Sequence, residues 1–243
     1  MGWRFRFRKR PAVQPAVDDS FLARLRAVGA ERYHDKHPFH VAMHEGRLNR
    51  EQVRGWVANR YYYQKNIPVK DAAILSNLPD REKRRVWIRR ILNQDGTLEA
   101  GGGGLEQWFA LARAVGISEA ALRSESHVQP GTRFAVDAYV TFARTQAWLP
   151  AVASSLTELF APELMGKRIE ALLARYPWID PAGLDYFRNR VTLAAQDASY
   201  ALPWVLEAAT DESARHACVQ ALHFKCDVLW AILDATQLAY GIG

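Results

Sequence analysis

The sequence lacks several features that would narrow its reading quickly. It has only two cysteines, and it has no run of apolar residues long enough for a membrane span, which takes roughly eighteen or more. Its N-terminus lacks the apolar stretch of a secretory signal. No internal repeat occurs, and no period-2 alternation bounded by hairpin turns, so strand content is expected near zero. Cys218 and Cys226 fall eight residues apart in a helical pattern, about 12 Å along the axis at 1.5 Å per residue. A disulfide needs Cα atoms within about 7 Å, so the two cannot pair within one helix. Free, buried thiols are expected, and with them a reducing, cytoplasmic setting. The run Gly101–Gly104 lacks a preceding strand and the Gly-Lys-Ser/Thr ending of a phosphate-binding loop, and reads as a flexible connection.

What remains is an ordinary globular composition: 49% hydrophobic, 24% charged and 11% aromatic over 243 residues. A domain of this size buries roughly 70–75% of its unfolded surface and needs no disulfide or metal to hold it. The net charge of +6 invites a nucleic-acid reading until the charges are located. Arg4, Arg6, Arg8, Lys9 and Arg10 crowd the first ten residues, which hold no acid; without them 27 bases face 26 acids. Residues 1–18 therefore read as a basic, flexible tail and linker, and residues 19–243 as one near-neutral domain with neither a nucleic-acid nor a membrane partner.

That domain reads as all-α. Residues 20–29 put Phe21, Leu22, Leu25 and Val28 on one stripe and end at Gly29. Residues 50–66 align Val53, Trp56, Val57 and Tyr61, with Pro68 expected to end the helix. Asp80 caps a helix whose stripe is Val86, Trp87, Ile91 and Leu92, stopped at Asp95-Gly96. Further helices are expected near 105–116, 133–147, 149–161, 162–175, 181–197 and 211–240, punctuated by Pro130-Gly131, Pro162, Pro177 and Pro181.

In such a chain, charged side chains on apolar stripes carry the information. Lys225 falls amid Cys218, Ala221, Leu222, Leu229, Ile232 and Leu233; it must snorkel outward, meet a carboxylate such as Asp137 or Glu158, or face a ligand. Arg60 and Gln64, Arg90 and Gln94, and Tyr186 and Arg190 are further i,i+4 pairs, and Tyr139 follows Val136 on an apolar face. The acids sit mostly on outer faces, so several inward cations call for a polyanionic small ligand inside the bundle. His37, His40 and His44 have the spacing of one helical face but no Glu-x-x-His partner, and read as structural or pocket-lining, with His37 starting a helix at Pro38. His34 is free to face a pocket.

Several long strings then become recognisable: YHDKHPFHVAMHEGRLNREQVRGWVANRYYYQKNIPVKDAAIL (33–75), FAVDAYVTFAR (134–144), ASSLTELFAP (153–162), YPWIDPAG (176–183) and FKCDVLWAILDA (224–235). In order and without large gaps from about Gly29 to Tyr240, they resemble the pyrroloquinoline-quinone (PQQ) synthase family. The resemblance implies a compact seven-helix bundle like those of haem oxygenase and the thiaminase-type proteins, usually a homodimer. It implies an oxidase that closes a ring in a bicyclic tricarboxylate precursor and oxidises it to PQQ, consuming O2 and releasing H2O2 without a metal or organic cofactor. It places Arg60, Gln64, Lys70, Arg90, Tyr139, Thr157, Glu158 and Arg168 around the ligand. It gives chemical roles to Tyr186, Arg190, His34, Lys225 and the residue at 94, with Tyr186 and Arg190 on the oxygen side.

Two positions depart from that pattern. Gln94-Asp95-Gly96 stands where the family usually has His-Asp-Gly, and glutamine cannot titrate near neutral pH, so turnover is expected to be slowed. Met165 stands where some relatives have another histidine. Relatives often run on past the position of Gly243, so a piece of the closing helix or a fused carrier-peptide-binding domain is expected beyond it. The competing readings are a binding protein with the pocket kept and turnover lost, a haem or di-iron oxygenase, and a thiaminase-like hydrolase, for which neither cysteine has a supporting motif.

Overall fold

Eleven α-helices and three short 3-10 turns build the chain over residues 19–99 and 101–241, the part that the computed structural model describes. The basic tail of residues 1–18 lies outside the described residues. Among those described there is no strand, only an isolated bridge between Thr97 and Gly101. Strong caps start the long helices: Asn49 and Gln52 form a capping box at α3 (Arg50–Asn77), and the side chains of Asp80 and Asp211 accept from Lys83 N and Ala214 N at α4 (Arg81–Asp95) and α11 (Glu212–Tyr240). His37 caps α2 (Pro38–His44) with its Nδ1 accepting from Phe39 N at 3.0 Å, as its place before Pro38 suggests.

The remaining segments are α1 (Asp19–Arg32), α5 (Gly104–Ala114), α6 (Glu119–Arg123), α7 (Pro130–Thr145), α8 (Trp148–Ala153), α9 (Ala161–Arg175) and α10 (Asp185–Ala208). The expected count of seven is exceeded because the chain between the long helices is itself wound into short pieces. What reads as one helix over 149–161 is α8 followed by a 3-10 turn, Ser154–Leu159, and Pro181 opens another 3-10 turn ahead of α10. Helices α3, α5 and α10 bring Trp56, Trp108 and Phe187 together in an aromatic core with centroids 5.8–6.2 Å apart, and α7 and α11 pack a second cluster around Val136, Tyr139, Val228 and Ile232.

Four local expectations are overturned. Gly29 does not end α1; a Cβ there would lie 2.2 Å from the Phe160 ring, so glycine is needed for close packing inside the helix. Pro68 does not end α3, which runs on to Asn77. A mid-helix proline strands the carbonyl four residues back, here Gln64 O, at a cost of about 3 kcal/mol in an isolated helix. The Gln94 side chain repairs this by donating from Nε2 to Gln64 O at 3.1 Å. Helix α4 turns inward Trp87, Arg90 and Gln94 rather than the aliphatic stripe, and leaves Leu92 40% exposed, because its inner face meets charged groups. Finally, Gly101–Gly104 is no loose connection. Thr97 and Gly101 exchange backbone hydrogen bonds at 3.3 and 2.8 Å, and a Cβ on Gly103 or Gly104 would strike Gln94 O or Oε1 at 2.7 or 2.4 Å. Positive φ at Gly96, Gly101, Gly102 and Gly103 lets this turn close over the end of α4.

Candidate functional site

A cavity of about 750 Å³, counted to its open mouth, lies between α3, α4, α9, α10 and the Ser154–Leu159 turn. It is lined by His34, Arg60, Gln64, Lys70, Arg90, Gln94, Thr157, Glu158, Arg168, Tyr186 and Arg190, all expected at the site. Helical spacing explains the convergence: Arg60 and Gln64, and Tyr186 and Arg190, stack one turn apart on inner faces. Tyr139 and Lys225 do not line this cavity. They stand behind Tyr63, with the Lys225 Nζ 2.5 Å from the Tyr63 hydroxyl and 3.9 Å from the centre of the Tyr139 ring.

Glu158 stands in the wall as expected, but it is not the only acid there. Asp71 and Asp197 are buried in the wall itself, with Glu158 beside them. Arg90 is the hub: Nε reaches Asp71 at 3.1 Å, Nη1 reaches Asp197 at 3.0 Å, and Nη2 reaches Glu158 at 3.1 Å. Lys70 meets Asp71 at 2.6 Å, and Arg190 meets Glu158 at 2.5 Å. Burial opposes the charge of Glu158, but Arg190, Arg90 and Lys70 outweigh it and hold the carboxyl down at about 2. Burial likewise works against Arg90, and the three carboxylates more than reverse it. Asp197 sits seven residues after Arg190 on the inner face of α10; that spacing was the available signal for it, while Asp71 carried none beyond its neighbour Lys70.

The other side of the wall has cations without carboxylates. Arg60 lies over the Tyr63 ring at 4.2 Å and keeps a buried Nη1 with no partner. Arg168, 3% exposed, lays Nη2 over the His40 ring, 3.2 Å from Nε2 and 3.5 Å from Nδ1, and contacts the sulfur of Met165, while its Nε has no partner. Burial and the nearby Arg60 charge pull Arg168 down to about 9, still charged at neutral pH. Burial, with Lys70 and Arg60 near, lowers Lys225 well below the usual amine range. Neither carboxylate proposed for Lys225 reaches it: Asp137 accepts from the Tyr62 hydroxyl at 2.8 Å, and Glu158 is taken by arginines. Burial, with His40 and Arg60 adding to it, keeps His34 neutral, and its buried Nδ1 has no partner.

A third cluster joins the two sides. Gln64 Oε1 accepts from the Tyr186 hydroxyl at 2.8 Å and from Gln94 Nε2 at 3.2 Å. Burial raises the Tyr186 pKa, so the phenol stays protonated and donates. The three histidines of the 37–44 segment do not share a face: His37 turns to Asp234 at 3.0 Å, while His40 and His44 stack with centroids 6.1 Å apart. Among the described residues no group of three or more His, Cys, Asp or Glu is placed to hold a metal ion. Both cysteines are buried and free, and burial pushes their thiols up to about 12, far from nucleophile range.

The strandless bundle with a polar cavity at its centre belongs to the haem-oxygenase-like class of helical folds. A domain of unknown function with a haem-oxygenase-like fold from Shewanella denitrificans superposes with a TM-score of 0.72 at 12% identity, over 92% of this chain and 91% of that one. A TenA homologue from Pseudomonas syringae superposes at 0.70 and 13%, over 92% and 93%. Within that class the chain belongs to the TENA/THI-4/PQQC family, whose pattern it matches over residues 22–235. A pyrroloquinoline-quinone synthase from Pseudomonas putida (strain W619) is 52% identical over 226 residues, covering 93% of this chain and 89% of the relative. Among the described residues no helix is long and apolar enough to cross a membrane.

Proposed function

We propose that the protein catalyses the last step of PQQ formation, closing a ring in a bicyclic tricarboxylate precursor and oxidising it with O2 as acceptor and H2O2 as by-product. The observation that carries this reading is the surplus of cations in the cavity wall: Arg60 and Arg168 line it and have no carboxylate partner. Cations held without a carboxylate in this way cost folding free energy unless anions arrive to pair them. An anionic ligand supplies the missing partners, and planar guanidinium groups suit bidentate carboxylate contacts.

In this reading Arg60, Arg168, Lys70 and Arg90 bind and orient the precursor, and Thr157 and Gln64 add neutral hydrogen bonds. Lys225 acts through Tyr63 and Tyr139, whose rings it pins. Tyr186 and Arg190 sit together on α10, where a protonated phenol and a fixed cation stabilise charge passing to oxygen. Neutral His34, with its unpartnered Nδ1, is the group able to take a proton from the substrate. Gln94 is spent on the Gln64 carbonyl and side chain, so no proton is routed through it. No metal or organic cofactor is required by these roles. We place the enzyme in the cytoplasm as a homodimer, in keeping with its free thiols and its family resemblance.

Titration with PQQ tests the reading, because Trp108 lines the cavity and reports occupancy. Stoichiometric tryptophan quenching is expected, and precursor under oxygen is expected to yield PQQ with H2O2. Absence of quenching overturns the reading outright; quenching with no peroxide from precursor overturns the oxidase assignment and leaves a binding protein.

A further inference from the structure

Pro68 sits in the middle of α3, and its missing N–H leaves the Gln64 carbonyl without the intrahelical partner of an unbroken helix. That carbonyl anchors a chain of side chains. Gln94 Nε2, reaching across from α4, lies 3.1 Å from Gln64 O and 3.2 Å from Gln64 Oε1. A backbone carbonyl only accepts, so the atom facing it is the Gln94 amide nitrogen. The second contact then makes the facing Gln64 atom its amide oxygen. The same Gln64 Oε1 accepts from the Tyr186 hydroxyl at 2.8 Å. All three side chains are buried, so they meet away from bulk water. One carboxamide oxygen thus takes both donors, which orients the Gln64 amide and leaves its Nε2 as the end able to donate to a ligand. The space around Gln94 is equally tight. A Cβ on Gly104 would lie 2.4 Å from Gln94 Oε1 and 3.3 Å from the Tyr186 ring.

A proline inside a helix ordinarily only costs stability. Here the carbonyl it frees gives Gln94 two acceptors on one residue, and two hydrogen bonds fix a direction that one leaves free to swing. We infer that Pro68 and Gln94 are a positioning pair for the reaction: the carbonyl freed by Pro68 captures the Gln94 amide, which holds Gln64 and through it the Tyr186 hydroxyl at the cavity wall. Pro68 itself is not part of the cavity lining, so its effect is exerted through Gln94, Gln64 and Tyr186. The inference rests on the oxidase reading for what Tyr186 does, and adds to it what keeps Tyr186 in place.

The test separates repair of the helix from positioning of the phenol. In Pro68→Ala the new N–H supplies Gln64 O with its intrahelical partner but gives nothing to Gln64 Oε1. Gln94→Leu is expected to lower the urea midpoint and to lower kcat for PQQ formation about tenfold, with a smaller change in KM. Adding Pro68→Ala to Gln94→Leu should restore the midpoint and leave kcat low. Recovery of both overturns the inference and leaves Gln94 a repair of the helix; an unchanged kcat in Gln94→Leu overturns it as well. Pro68→Ala alone is expected to lower kcat roughly two- to threefold, since Gln94 then keeps a single acceptor, and no loss there overturns the role given to Pro68. If Gln94→Leu does not fold, Gly104→Ala, which crowds the Gln94 amide from its other side, carries the same kinetic expectation. A ligand-free readout keeps this apart from failure of the functional reading. In protein isotopically labelled at the tyrosine ring carbon that bears the hydroxyl, the Tyr186 resonance is assigned by its loss in Tyr186→Phe. It should move in Gln94→Leu and stay moved when Pro68→Ala is added. If the wild type makes no PQQ but that resonance moves, the oxidase reading falls and the positioning pair stands. If the resonance does not move, the inference falls whatever the turnover.

Discussion

The two sides of the cavity are built from the same residue types and behave as opposites. Toward α4 and α10, Lys70, Arg90 and Arg190 are woven among Asp71, Glu158 and Asp197 in ion pairs of 2.5–3.4 Å. Toward α2 and α9, Arg60 and Arg168 meet only rings, a histidine nitrogen and a sulfur. The paired side is balanced in charge, so its cations hold helices together while they face the cavity; the unpaired side carries charge that a ligand must balance. A cation inside a helical bundle therefore says little by itself, and what it is paired with decides how much of its charge is left for a ligand.

The largest expected effect tests the paired side. Arg90→Leu removes the cation that Asp71, Asp197 and Glu158 share, and breaking buried ion pairs in this way costs about 3–5 kcal/mol. Urea unfolding should show that loss in midpoint. A loss under about 1 kcal/mol would mean the network is no more structural than the unpaired cations, and the comparison would dissolve.

The unpaired side should answer the other way. Arg60→Met removes a charge with a buried, partnerless Nη1 and keeps much of the side-chain volume. Stability should be unchanged or higher, because no native ion pair is lost. PQQ affinity should fall roughly 10–100-fold, the worth of about 1.5–3 kcal/mol for a hydrogen bond to a charged group. A destabilised variant with unchanged affinity would reverse the roles of the two sides.

Much of this was legible in the sequence and some of it could not have been. The helices were written in stripes such as Phe21, Leu25 and Val28, all of them buried, and Lys225 stood out because its neighbours on α11 are apolar. Periodicity says which residues share a face but not what faces them. Hence acids are expected mostly on outer faces, whereas Asp71 and Asp197 are buried in the wall, and the partners of Lys225 are Tyr63 and Tyr139 rather than a carboxylate. Pro68 misled for a related reason: a local rule for ending helices was overridden by a side chain from α4, thirty residues away, that meets the stranded carbonyl. The Gly101–Gly104 run looked loose because its packing against Gln94 is tertiary.

The smallest effect separates the two sides by pH. On the unpaired side burial lowers the histidine pKa values, His34 and His40 well below 6.5 and His44 to about 4, with cationic and imidazole neighbours adding to the shift. The unfolded chain therefore takes up protons first, and stability from these groups is lost as pH falls below 6.5. On the paired side Glu158 is held at about 2, below its unfolded 4.5, because Arg190, Arg90 and Lys70 overcome burial. Its contribution is intact above about 4.5 and is lost only as pH falls from there toward 2. The stability difference between wild type and His40→Gln should therefore begin to change below pH 6.5, by at most about 1.4 kcal/mol per pH unit for one site. The difference for Glu158→Gln should stay flat until about pH 4.5. Urea midpoints collected from pH 8 to pH 3 read both. If the two difference curves bend at the same pH, the sides share one electrostatic network and the division between a charge-balanced and an unbalanced wall is lost.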